Sequence, residues 1–292
     1  MKLRRVKRSG LAGGERLEAR TVFSVSMTAA ETMLLQLVNH ARHAPEQWAT
    51  RLSVSLPSDQ RGPFAPVTVN EFLLAAARSH SADMQQRNYF SHTGLDGSSP
   101  GDRAVRAGYP TTFVGENIYM DAGYASYAAE AVARRMNDGW FTSSGHRGNM
   151  LTASWTEFGG GVYVATGGTN SVHGTQLFGR ANPGPFLTGV VYQDSNANGE
   201  YNVGEGLSGV TVAVGSQTAT TSAFGSYELR VTPGTHTISA SGGAFGSSRA
   251  VSWTVGNANV KVDFVAGQAG AIVNFEAVPG VAPPTAPPAP SG

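Results

Sequence analysis

Hydrophobic positions in the first half of the chain recur at helical spacing. Over residues 28–48, Met33, Leu34, Leu37, Val38 and Ala41 share one face, and Thr28 can cap the start. Pro45 should end or bend this helix, and His40 and His43 fall on its opposite, solvated face. Residues 56–66 are rich in breakers and read as a loop. Asn70 can cap a second helix from Glu71 to about Arg87, with Phe72, Ala75, Ala76, Ser79 and Met84 inward. His80, within it, reads as a packed or surface histidine. A short helix over residues 102–107 should end at Gly108, and a fourth spans residues 124–140 with Ala128, Ala131, Val132 and Met136 as its stripe. Apolar residues then alternate around glycines over residues 158–165 and 175–181, which predicts strands. Gly159-Gly160-Gly161 should permit close packing or a bulge.

Beyond Pro183-Gly184-Pro185 the pattern changes to short strands at 188–192, 210–214, 226–231, 235–241, 251–255 and 260–265, separated by Gly, Asn and Pro turns. That predicts an antiparallel β-sandwich. The expected class is therefore α+β: helices flanking a small antiparallel sheet over residues 28–182, then an all-β domain over 186–277. Residues 278–292 read as an extended Pro/Ala tail. Residues 1–27 read as a basic arm and a candidate export element, although no apolar core of a signal peptide follows the basic residues.

Composition narrows the function classes. Charged residues are 14% of the 292 and the net charge is +1, so nothing global points to nucleic acid or an anionic membrane. There is no cysteine, which excludes disulfides, thiol catalysis and cysteine-zinc sites. No apolar run is long enough to span a membrane.

Two stretches carry candidate chemistry. Within residues 88–150, His92, Glu116 and His146 each sit among Gly, Ser or Asn, residues that let loops turn side chains inward. Brought together, they could bind a metal or pass protons; apart, they mean little. The second stretch runs from Asp194 to Glu205 and fits D-x-N-x-N-G-x5-E. Asp194, Asn196 and Asn198 offer side-chain oxygens at alternate positions, Gly199 permits the turn, and the Glu200 carbonyl can face an ion. Glu205 can close the site with two oxygens, which makes Ca2+ the expected ion; the other reading is an Asx-rich surface turn.

Four phrases in order carry a family resemblance: Phe90-Ser91-His92, Gly115-Glu116-Asn117-Ile118, Trp140 with Gly145-His146-Arg147 and Asn149, and Thr175-Gln176-Leu177-Phe178. Together they resemble the bacterial branch of the CAP superfamily (SCP-like) over about residues 28–182. The resemblance implies an α-β-α sandwich with a surface cleft of two histidines and two glutamates, associated with divalent metal. His92 matches the first histidine, Glu116 the first glutamate, and His173 the second histidine. The second glutamate is missing from Phe141-Thr142-Ser143-Ser144, and His146 is its expected substitute. His92, Glu116, His146 and His173 are therefore the expected catalytic or ligand set, suited to Zn2+ or another divalent ion. Glu116, Asn117 and Asn149 could equally hold neighbouring loops, and Arg147 could pair with a carboxylate. The 194–205 loop with Gly189-Val190-Val191-Tyr192 and Gly206-Leu207-Ser208-Gly209-Val210 resembles B-type repeats of serine-aspartate-repeat adhesins. The implied protein is secreted or at the cell surface. Hydrolysis, and non-enzymatic binding of a small ligand, lipid, glycan or peptide, both stay open.

Overall fold

The structure is a computed structural model that describes residues 21–23, 25–123, 126–166, 170–181 and 184–279. Most of the expected N-terminal arm, the start of the fourth helix at Tyr124, Pro183 of the boundary and most of the Pro-rich tail lie outside the described residues.

Local signals set most helix ends. Helix α1 (Ala29–His43) begins at a capping box: Thr28 Oγ1 accepts from the Glu31 amide at 3.3 Å, and Glu31 Oε2 accepts from the Thr28 amide at 2.7 Å. Pro45 starts a separate helix, α2 (Pro45–Leu52), because proline is tolerated in a first turn and not inside a helix. Strand β2 (Thr68–Val69) leads into α3 (Glu71–Gln86), where the Asn70 side chain accepts from the Phe72 and Leu73 amides. Helix α4 (Pro100–Ala107) ends at Gly108 with φ 111°. Strand β3 (Gly115–Ala122), helices α5 (Ala129–Thr142) and α6 (Ser144–Met150), and strands β4 (Glu157–Ala165) and β5 (Ser171–Gly179) follow.

These strands form one sheet, ordered β2-β4-β5-β3, antiparallel except for β2 beside β4. Helix α3 lies on one face, and α1 and α5 cover the other. The glycines of β4 make the first contact possible: a Cβ on Gly159 would run into the Leu73–Leu74 backbone, and one on Gly161 into the Ala77–Arg78 backbone. On the opposite face, Leu34, Val38, Val132, Met136 and Trp140 pack with Phe158 and Phe178.

Several expectations shift. The inward face of α3 is Leu73, Leu74, Ala76, Ala77, His80, Ser81 and Met84; Phe72, Ala75 and Ser79 are exposed. On α5 the buried set is Val132, Ala133, Met136, Asn137, Trp140 and Phe141, while Ala128 and Ala131 are exposed. Glu116, the second residue of strand β3, and His146, the third of helix α6, sit near element ends. His40 and His43 are half-buried rather than solvated, because Phe275 stacks on both at centroid distances of 5.1 and 5.0 Å.

The C-terminal half holds β6 (Phe186–Tyr192), β7 (Thr211–Val214), β8 (Gln217–Thr220), β9 (Ser226–Arg230), β10 (Gly234–Ser241), β11 (Arg249–Val255), β12 (Val260–Val265), β13 (Ala271–Val273) and β14 (Glu276–Val278). Strand β1 (Thr21–Phe23), from within the expected arm, joins one of two five-stranded sheets, β1-β8-β7-β10-β11; the other is β14-β13-β12-β6-β9. The pairing is not uniformly antiparallel: β6 runs parallel to β12, and β1 parallel to β8. Val212, Ile238 and Val251 of the first sheet share an apolar cluster with Leu187, Tyr227, Val262 and Phe264 of the second. Val190, Tyr192, Tyr201 and Val265 join the helical core instead. Asn259 Nδ2 also donates across to the Pro66 and Thr156 carbonyls at 3.1 and 2.8 Å.

Candidate functional site

After α3 the chain turns back through residues 88–99. Asn88 adopts φ 52°, and the Gly94 amide donates to the Ser98 carbonyl at 2.9 Å. This return carries His92 onto the edge strand β3. There Gly115 lets α6 approach closely, since a Cβ at that position would overlap the Asn149 side-chain amide.

Glu116 is the hub of the site. Its side chain is 2% exposed; Oε1 accepts from His92 Nδ1 at 2.8 Å and Oε2 accepts from Arg103 Nη2 at 2.6 Å. Arg103, from α4, also donates through Nη1 to the Ser98 carbonyl at 2.9 Å, which ties the returning loop to the same cation. His80 Nε2 lies 4.0 Å from Glu116 Oε1 and 3.0 Å from the Ser91 carbonyl. A carbonyl can only accept, so Nε2 of His80 carries the proton and Nδ1 the lone pair. Burial lowers the His80 pKa, outweighing the Glu116 charge that raises it, so the ring stays neutral.

The same logic orients His92. Its Nδ1–H points at Glu116, which leaves Nε2 with its lone pair on a side chain that is 51% exposed. His146 is half-buried on α6, and its pKa is lowered first by burial and then by repulsion from His92 whenever that ring is protonated. Asn117, on the opposite face of β3, donates to the His146 carbonyl at 3.2 Å and to Gln176 Oε1 at 3.1 Å, and accepts from Asn149 Nδ2 at 3.1 Å. Arg147 does not pair with a carboxylate. Its guanidinium donates to the Phe141 and Thr142 carbonyls and to Gln60 Oε1.

Of the four expected residues, His92 and Glu116 are in direct contact and His146 is an electrostatic neighbour. His173 stands apart: it pairs in register with Met120, four residues along β3 from Glu116, about 13 Å at strand rise. It is buried, and its Nδ1 bonds Gln85 Oε1 at 2.7 Å. Arg103 and His80 are the residues missed from sequence. Nothing in the D-R-A-V-R run separates Arg103 from Arg106, and only the placement of α4 against β3 does so.

A zinc-type site does not fit this arrangement. Both Glu116 oxygens are engaged, one by a cation, and His173 is bonded elsewhere. Among the described residues, no group of three or more His, Cys, Asp or Glu side chains is placed to hold a metal ion.

The 194–205 loop folds on its own side chains. Asp194 accepts from the Asn198 and Gly199 amides at 3.1 and 3.0 Å. Glu205 accepts from the Ser195 and Asn202 amides, both at 2.9 Å. Asn196 and Asn198 each donate to Asn202 Oδ1, and Gly199 takes φ 77°. Glu130 of α5 reaches this loop, accepting from Asn202 Nδ2 at 2.9 Å and the Val203 amide at 3.1 Å.

Known proteins resemble the first part of this chain. Residues 35–178 match the CAP model, described as the cysteine-rich secretory protein family. "Uncharacterized protein YkwD" of Bacillus subtilis is 28% identical over 156 residues, 53% of this chain and 51% of that protein. "Uncharacterized membrane protein YlbC" of the same organism is 35% identical over 89 residues, 30% of this chain and 22% of that protein. An extracellular SCP-domain protein of Bacillus anthracis, solved as a crystal structure, shares 28% identity with a TM-score of 0.34, covering 51% of this chain and 41% of that one. The chain thus spans about half or less of the length of these relatives.

Proposed function

Because residues 35–178 form a CAP domain of the cysteine-rich secretory protein family, we propose that this chain is an exported CAP-domain protein that holds a small polar ligand at its His92–Glu116 cleft. The chain of contacts from Arg103 through Glu116 to His92 carries the reading. Arg103 anchors the carboxylate and the carboxylate sets the His92 tautomer. His92 Nε2 therefore presents a lone pair to solvent, ready to accept from a ligand hydroxyl or ammonium. No described helix is long and apolar enough to cross a membrane, which is compatible with export.

A second reading, hydrolysis, draws on the same pair. An oriented imidazole is a general base, so His92 could take a proton from a water attacking a bound ester or amide. The hydroxyls nearest His146 in sequence, Ser143 and Ser144, are exposed at the start of α6. Water activation suits the His–Glu pair better than a covalent intermediate. Ligand-observed NMR of a polar fragment set against His92→Ala and His173→Ala separates the cleft from the rest of the sheet. Fragments should bind the wild type and His173→Ala alike and lose roughly tenfold in affinity on His92→Ala. Equal binding to His92→Ala would end the cleft reading.

We also propose that the 194–205 loop takes Ca2+ through Asp194, Asn196, Asn198, the Glu200 carbonyl and Glu205, as in an adhesin B-type repeat. The D-x-N-x-N-G-x5-E spacing, with Asp194 and Glu205 folded back onto amides of the same turn, supports this. The ion would clamp the connection between β6 and β7 in a β-sandwich that carries the CAP domain. Saturating Ca2+ should raise the melting temperature, by about 3 kcal/mol of stabilisation at a hundredfold excess over Kd, and EDTA should reverse it. A melting curve indifferent to both, or unchanged by Asp194→Ala, would reject the site.

A further inference from the structure

Strand β1 joins β8 in three parallel register pairs, Thr21 with Thr218, Val22 with Ala219 and Phe23 with Thr220. In the same sheet β10 and β11 share seven. Strand β8 has β7 on its other side, so β1 is the element that closes this edge of the sheet. Just beyond β1, the Ser26 carbonyl accepts from Arg78 Nη2 of α3 at 2.8 Å, and Met27 is buried in the helical core. The segment therefore runs from the sandwich to the helical half, with its foot at Met27.

Between these points the Val25 amide donates to Glu228 Oε1 at 2.8 Å. Glu228, on β9, is 9% exposed, and its Oε2 is buried without a hydrogen-bond partner. A carboxyl so placed is tolerable while neutral and costly once ionised, because a buried charge needs paired groups around it. The neighbouring charges do not help. Glu71, at the start of α3, adds a like charge. Arg78 is engaged by Glu31 and the Ser26 carbonyl, and Arg230, two residues along β9, lies over the Phe186 ring.

Burial pushes the Glu228 carboxyl from 4.5 up to about 7; the Val25 amide, which favours the anion, offsets only part of this. The docked segment thus prefers the neutral acid. Its hold is complete below about pH 4.5 and weakens as the pH rises through 7. The ionised carboxylate is relieved most easily at the weakest joint. Lifting Val25 lets water onto Oε1 and breaks only the three-pair strand, while the longer ladders of the sheet stay closed.

We propose that β1 with Val25 and Ser26 is a strap that closes the sandwich edge while Glu228 is protonated and lifts away as Glu228 ionises. Lifting leaves β8 with an unpaired row of backbone donors and acceptors, the kind of edge to which another strand can add. The switch uses no residue of the His92 cleft or of the 194–205 loop.

The test follows the full chain by hydrogen exchange and mass spectrometry at pH 5 and pH 8, read as protection factors corrected for the intrinsic exchange rate. Protection over residues 21–25 should fall roughly fiftyfold between the two. At pH 8 these amides should exchange roughly a hundredfold or more faster than those of β12, which marks a strap opening on a closed sandwich. Glu228→Gln keeps an acceptor for the Val25 amide but cannot ionise, so its pH dependence should shrink below about threefold. Val25→Pro removes the donor and should leave residues 21–23 unprotected at both pH values; it stands in if Glu228→Gln misfolds. The proposal is overturned if wild-type protection changes by less than about threefold, or if Glu228→Gln keeps the wild-type dependence. It also fails if residues 21–25 exchange together with β12, or if Val25→Pro protects residues 21–23 as the wild type does.

Discussion

Replacing Glu116 by glutamine tests the centre of the site with the smallest change of shape. The glutamine carbonyl can still accept from His92 Nδ1, but its NH2 then faces Arg103 Nη2, donor against donor. The pair is desolvated, with side chains 2% and 9% exposed and oxygen and nitrogen 2.6 Å apart. Removing one partner of such a pair strands the other charge, at a cost of about 3–5 kcal/mol. In a domain of this size that lowers the melting temperature by about 10 °C. Urea unfolding of Glu116→Gln, Arg103→Met and the double variant gives the coupling. The double variant should recover about 2 kcal/mol or more relative to the sum of the singles, because it removes the stranded cation. A loss under about 1 kcal/mol for Glu116→Gln, or strict additivity in the cycle, would mean that Glu116 is not the buried anchor of His92.

Two other outcomes follow from the packing. Gly159→Ala should destabilise by about 1–3 kcal/mol or more, because the added methyl meets the α3 backbone rather than a movable side chain; urea midpoints indistinguishable from wild type would contradict that contact. Glu228, buried on β9, accepts from the Val25 amide at 2.8 Å, and burial pushes its carboxyl from 4.5 up to about 7. The protonated form therefore favours the fold. Its contribution is complete below about pH 4.5 and fades as the pH rises through 7, by about 3 kcal/mol in all. Melts at pH 5 and pH 8 should differ less for Glu228→Gln than for the wild type; equal differences would remove Glu228 as the cause.

The sequence by itself determined what is local. Thr28 with Glu31, Asn70, Pro45 and Gly108 mark helix boundaries because capping and breaking act within one turn. The spacing of His92 and Glu116 among turn-forming residues was enough to nominate them, and the Asp194–Glu205 pattern named its own loop. Only the tertiary structure decided which distant groups meet. The β3–β5 register sends His173 to Gln85 rather than Glu116. The docking of α4 chooses Arg103 over Arg106 as the partner of Glu116. The stacking of Phe275 takes His40 and His43 out of solvent. Strand direction in the second half belongs to the same class, since β6 and β12 pair in parallel across some seventy residues that carry no local mark of it. In each case the deciding energy is burial between segments far apart in the chain, which no short-range pattern encodes.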